Sequence, residues 1–236
     1  MNKFIFDVDG TLTPSRQRID PDFKTFFESF CVDNAVYLVT GSDYPKTVEQ
    51  LGDRIVKRVK AVYNCSGNDV WQQGNNVRTS DWTMPASLHQ MLQGWLQSSK
   101  FPLRTGIHIE ERPGMVNFSI VGRGATQQQR SEYVEYDTLN RERESIAFMI
   151  NNEFDNITAT VGGETGIDIA PTGADKSQIL QDFNLKTDKL YFFGDKTIPG
   201  GNDEPLAKLI KHSYQVNSWQ NTAERLAYLQ EAKLAS

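Results

Sequence analysis

Phe4-Ile5-Phe6-Asp7-Val8-Asp9-Gly10-Thr11 is the stretch on which the reading of this chain turns. Its three apolar residues, too few for a helix and without polar alternation, mark a strand covered on both faces. The switch to Asp and Gly marks its carboxyl end, opening into a polar loop. Two more runs repeat the pattern: Val36-Tyr37-Leu38-Val39 ends at Thr40-Gly41-Ser42, and Leu190-Tyr191-Phe192-Phe193 ends at Gly194-Asp195. Helical stretches lie between them, and Asp175-Lys176 leads into Ile179, Leu180 and Phe183 at helical spacing just before the third run. Three buried strands alternating with helices predict an α/β fold with a parallel sheet, whose ligands bind beyond the carboxyl ends of the strands.

Between about residues 80 and 170 the texture changes. Val116-Asn117-Phe118-Ser119-Ile120 alternates apolar and polar residues, as a strand with one wet face does, and Ile107-His108-Ile109 and Ile157-Thr158-Ala159-Thr160-Val161 read likewise. Such strands favour an antiparallel sheet. Thr126 with Gln129 three residues on is a capping box, expected to open a helix containing Arg130, Tyr133 and Val134. The expected organisation is a core from residues 1–79 and 173–236 interrupted by an α+β insertion over 80–172.

Composition narrows the function. The 236 residues carry 25 Lys and Arg against 30 Asp and Glu, a net charge of −5, which argues against a nucleic-acid or acidic-membrane surface. Two cysteines, Cys31 and Cys65, are too few for a disulfide framework, and the opening apolar run is far shorter than that of a secretory signal. The expectation is a cytoplasmic protein with reduced thiols, in which the acceptor-like tripeptides at Asn64, Asn117 and Asn156 are chance. The three histidines, His89, His108 and His212, lack ligand spacing, and neither a phosphate-binding P-loop nor a GxGxxG fingerprint is present.

The chemistry starts at Asp7 and Asp9. Two carboxylates two residues apart at a strand end allow one to attack phosphorus, giving an aspartyl phosphate, while the other protonates a leaving alkoxide. Both would repel a phosphate dianion unless a divalent cation neutralised them. Asp195, ending the third strand, with nearby Asp203, could complete an oxygen-ligand magnesium site.

This ordered set resembles the haloacid dehalogenase-like phosphotransferases. The resemblance implies a Rossmannoid parallel-sheet core with an inserted α+β cap. It implies Asp7 as nucleophile, Asp9 as general acid and base, Thr40 or Ser42 with Lys176 on the phosphoryl group, and magnesium on Asp7, Asp9 and Asp195. Phe6–Gln17, Gly41-Ser42-Asp43, Arg112–Asn117, Gly122-Arg123 and the block Phe193–Asp203 narrow it to the eukaryotic-type phosphomannomutases, of cap type C2b. That likeness implies interconversion of hexose (mannose) 1-phosphate and 6-phosphate for GDP-mannose biosynthesis, a hexose 1,6-bisphosphate activator and a homodimer through the cap. The alternative is a sugar-phosphate phosphatase that hydrolyses the same aspartyl phosphate.

A mutase needs a second anion site, because its bisphosphate intermediate carries a phosphate at each end, and arginine's fork suits it. By the same resemblance Arg112, Arg123, Arg130 and Asp168 bind substrate, as does Arg16, a loop residue that could equally form a surface ion pair. Arg141 and Arg143 read as surface residues. Two departures stand out: Gly166 replaces the family's serine, and Pro205–Leu209 lacks the acidic loop that binds another cation.

Overall fold

The computed structural model describes residues 2–234. In chain order its elements are β1 (Asn2–Phe6), α1 (Pro21–Asp33), β2 (Ala35–Val39), α2 (Tyr44–Leu51), α3 (Asp53–Arg58), β3 (Ala61–Asn64), β4 (Asp69–Gln72) and β5 (Asn75–Thr79). There follow α4 (Ala86–Ser98), β6 (Ile109–Arg112), β7 (Met115–Phe118), α5 (Gln127–Asn140), α6 (Glu142–Glu153), β8 (Ile157–Gly162) and β9 (Gly166–Pro171). The chain closes with β10 (Lys189–Gly194), α7 (Glu204–Ala207), β11 (His212–Gln215) and α8 (Trp219–Leu234). Two compact units result: Met1–Thr79 with Asp175–Pro199 and Asp203–Ser236, and Ser80–Ala174 with Gly200–Asn202.

In the first unit a seven-stranded sheet runs β11-β10-β1-β2-β3-β4-β5. The pairs from β11 to β3 are parallel, as the three apolar runs predict. β1 is covered on both faces. Phe4 and Phe6 pack with Phe27 and Phe30 of α1, whereas Ile5 joins Phe192, Ile179 and Leu206 on the opposite face. Phe6 stacks on Phe193 at 4.9 Å and meets Phe27 edge-on at 5.2 Å, geometries that aromatic quadrupoles favour. Asp20 caps α1 ahead of Pro21, and Asp43 caps α2 through the Lys46 amide at 2.9 Å. The residues after Asp175 form a 3-10 helix, Lys176–Asp182, capped by the Asp175 carboxylate on Ser177 N–H. Because β1 lies between β10 and β2, its carboxyl end is flanked by theirs at the point where the strand order reverses, the place at which sheets of this kind bind ligands.

The second unit holds a four-stranded antiparallel sheet, β6-β7-β9-β8, with α4, α5 and α6. Its core gathers Phe118, Tyr133, Ile146, Ile150 and Ile169. Thr126 and Gln129 make the expected capping box at the start of α5. Two expectations are corrected. β7 has no wet face: all four of its residues are buried, as is Ser119 beyond it. Its polar positions meet polar partners, the Asn117 amide donating to Asp168 at 2.7 Å and Ser119 Oγ accepting from Gly122 N–H at 3.2 Å. The strand read at Ile107–Ile109 begins only at Ile109, which pairs with Phe118, and Ile107 faces solvent.

Candidate active site

Three strand ends deliver the chemistry. Asp7 follows β1, its N–H donating to Phe193 O at 2.9 Å. Lys176, buried at the start of its 3-10 helix, places Nζ 2.6 Å from Asp7 Oδ1 and 2.7 Å from Asp203 Oδ1. Thr11 Oγ1 donates to the other Asp7 oxygen at 3.2 Å. Burial pulls the Lys176 ammonium down, but Asp203 and Asp7 more than offset it, and the group is held charged above its ordinary range. Burial pushes the Asp7 carboxyl up, Lys176 opposes, and Asp203 and Asp195 add to the rise. Asp195 is pushed up to about 6, first by burial and then by Asp203.

Oxygens of Asp7, Asp195 and Asp203 all lie within 4.8 Å of one another. One ammonium against three carboxylates, Asp7 and Asp203 buried and Asp195 half-buried, leaves an excess of negative charge, and the donors are hard oxygens, so the trio fits a divalent magnesium ion. Glycines make the approach possible. A Cβ on Gly10, at φ +80°, would collide with the Asp195 carboxylate, and one on Gly194 would lie 2.7 Å from Asp203 Oδ2.

Asp9, expected among the metal ligands, has its carboxylate outside this trio. Oδ1 accepts the Arg16 N–H at 2.5 Å and Gln50 Nε2 at 2.9 Å, and Ser42 Oγ lies 3.5 Å from Oδ2. Arg16 stands at φ 59°, the left-handed region that aims its N–H at Asp9. Thr40 is buried and its hydroxyl accepts the Ser42 N–H at 3.1 Å, so of the two hydroxyls it is that of Ser42 that reaches Asp9.

In the second unit the expected arginines meet carboxylates. Glu110 Oε2 takes Arg112 Nη2 at 2.6 Å and Arg123 Nε at 2.8 Å. Arg123 also donates to Asn117 Oδ1 at 3.3 Å, and Asn117 donates on to Asp168. Arg130, buried, pairs with Glu164 at 2.9 Å in the turn between β8 and β9. Arg112, Arg123, Asn117 and Asp168 thus form one chain of contacts, with Arg130 paired separately. Arg141 is exposed and pairs with Glu144. Arg143 is no surface residue: it pairs with the buried Asp137 at 2.7 Å and reaches Gly166 O at 3.4 Å. Sequence reasoning missed Gln50, Glu110, Asn117 and Glu164. Of these, Asn117 carried a signal, as the last residue of the Arg112–Asn117 block.

The profile of the eukaryotic phosphomannomutases matches residues 23–231. Human phosphomannomutase 1 is 34% identical over 235 residues, covering 94% of this chain and 89% of the human protein. Spinach phosphomannomutase is 31% identical, covering 84% and 83%. Among solved structures, a Plasmodium falciparum IMP-nucleotidase aligns with a TM-score of 0.64 at 16% identity, covering 98% of this chain and 67% of that one. A haloacid dehalogenase-like hydrolase from Bacteroides thetaiotaomicron aligns at 0.59 and 12% identity, covering 97% and 99%. At these identities the likeness establishes the fold, a haloacid dehalogenase-like α/β core with an α+β insertion.

Proposed function

The chain belongs to the eukaryotic phosphomannomutase family, and on that premise we propose that it interconverts mannose 1-phosphate and mannose 6-phosphate through a phosphorylated Asp7. The observation that carries the reading is the buried Lys176 bridging Asp7 and Asp203, with Asp195 beside them, at the carboxyl ends of adjacent strands.

Asp7 attacks phosphorus, and Lys176 holds its carboxylate and balances charge as the phosphoryl group arrives. Asp9 gives a proton to the departing sugar oxygen and recovers one when the sugar attacks in return. Thr40, Ser42 and Lys176 hold the transferring group, with Ser42 the hydroxyl nearer Asp9. Magnesium on the Asp7, Asp195 and Asp203 carboxylates would neutralise them and polarise the phosphate oxygens. Arg112, Arg123 and Arg130 bind the far phosphate, and Arg16 and Asp168 orient the sugar. Ser80–Ala174 acts as the cap that sets specificity and excludes water, since water reaching the aspartyl phosphate ends the cycle as hydrolysis. A hexose 1,6-bisphosphate primes Asp7. The enzyme works as a cytoplasmic homodimer that supplies GDP-mannose biosynthesis, and a light-scattering mass of one chain would contradict the dimer.

Phosphorus NMR of mannose 1-phosphate with enzyme, magnesium and a trace of hexose 1,6-bisphosphate tests the reading. Accumulating 6-phosphate with little inorganic phosphate is the expected result. Stoichiometric inorganic phosphate would favour the phosphatase reading, which Gly166, lacking a hydroxyl for the substrate, keeps in view.

A further inference from the structure

Gln50 lies in the last turn of α2, 41 residues from Asp9 in sequence, and is only 2% exposed. Its Nε2 donates to Asp9 Oδ1 at 2.9 Å and also falls near Thr13 Oγ1 at 3.1 Å and Gln17 O at 3.4 Å. The backbone amide of Arg16 donates to the same Asp9 oxygen at 2.5 Å. Asp9 Oδ2 is held far more lightly, by the Ser42 hydroxyl at 3.5 Å. The arrangement costs something, because Gln50 Oε1 is buried without a hydrogen-bond partner, and a buried unpaired polar atom is unfavourable. An apolar side chain of the same volume would avoid that cost while losing the donor to Asp9.

We propose that Gln50 is a positioning residue for proton transfer: with the Arg16 amide it grips Asp9 Oδ1, fixes the carboxyl plane and leaves Oδ2 as the oxygen that exchanges a proton with the sugar. The assignment rests on Asp9 being the acid and base of the proposed reaction. In the forward half, an Asp7 oxygen bonds to phosphorus and the bond from phosphorus to the sugar oxygen breaks. The electron pair left on that oxygen takes the proton from Asp9 Oδ2, and Asp9 remains as a carboxylate held at Oδ1. In the return half, Oδ2 takes the hydroxyl proton as the sugar oxygen attacks phospho-Asp7. With p-nitrophenyl phosphate the same attack on phosphorus expels nitrophenolate as a stable anion, and no proton from Asp9 is required.

That difference supplies the test. Gln50→Met keeps the volume and removes the donor. Its kcat for mannose 1-phosphate should fall roughly 10- to 100-fold, up to the lower end of the roughly 100- to 10,000-fold that a general acid or base contributes, as befits a residue that positions the acid and does not replace it, with KM changed less than about threefold. The pre-steady-state burst of nitrophenolate, which reports phosphorylation of Asp7, should slow by no more than about threefold. Rates taken as a ratio of the two substrates on one preparation are insensitive to the fraction of protein that folds. Gln50→Asn, whose amide is one methylene short of Asp9, should show the same selectivity and serves if the methionine variant does not fold. Equal losses on both substrates, or unchanged turnover of mannose 1-phosphate, would overturn the assignment. Asp9→Asn run in parallel separates the two levels. If it spares mannose 1-phosphate turnover, the acid–base role itself fails; if it is selective and the Gln50 variants are not, only the Gln50 assignment fails.

Discussion

Lys176 is the residue on which the site's charge balance depends. Its ammonium touches two carboxylates, Asp7 and Asp203, and all three groups are nearly inaccessible to water. Removing one partner of such a cluster leaves charge buried without compensation, so Lys176→Met should destabilise the fold by about 3 to 5 kcal/mol, read as a shift of the urea midpoint, and abolish turnover. Asp195 gives the site a pH dependence whose sign follows from its shift. Its carboxyl is raised to about 6 by burial and by Asp203, so the folded metal-free protein prefers the protonated form. The stability this confers is fully present below the ordinary carboxylate range and is lost as pH rises through about 6. Magnesium takes the ionised form, so its affinity should strengthen over the same interval. Calorimetric titration at pH 5, 6 and 7 checks this, and an affinity that stays flat or weakens with rising pH would refute it.

Among the elements, those read correctly from sequence were those whose burial shows in composition. β1, β2 and β10 are covered on both faces, so their apolar runs and acidic or small polar ends were legible. β5 was not: Asn75-Asn76-Val77-Arg78-Thr79 is exposed along its whole length, so neither alternation nor an apolar run marks it. Asp7, Asp195 and Lys176 were legible as ends and beginnings of elements, whereas Gln50 was silent because its importance arises only when α2 packs beside the loop after β1. Gly166 shows the same limit at the β8–β9 turn. Sequence comparison marks it as a lost hydroxyl, but a Cβ there would sit 2.6 Å from Asn117 Nδ2. Restoring the serine therefore displaces an amide that bonds Asp168 at 2.7 Å and Arg123 at 3.3 Å. Gly166→Ser should cost about 1 to 3 kcal/mol in stability, the range for breaking buried polar partners, and raise KM for the sugar phosphate. A serine variant with unchanged melting and a lower KM would show that Asn117 yields without consequence.

At the scale of the whole chain, the polypeptide passes from one unit to the other near Thr79 and returns near Asp175, with Gly200–Asn202 also grouped with the second unit, and among the described residues the buried apolar clusters of the two units have no member in common. The first is built on the Phe4, Phe6 and Phe27 cluster with its companion around Ile5 and Phe192, the second on Phe118, Tyr133 and Ile146. The carboxylate trio belongs entirely to the first. A ligand that binds only the folded state stabilises what it binds, by about 2.7 kcal/mol at a hundred times its dissociation constant, which slows exchange through global opening about a hundredfold. Magnesium should therefore slow hydrogen exchange at amides of β1, β2 and β10 by about that factor. Amides of β7, β9 and α6 are held by their own buried cluster, so their rates should change less than about threefold. Equal slowing in both sets would mean that Ser80–Ala174 cannot open unless the sheet around Asp7 does, and the separate apolar clusters would then belong to one cooperative body.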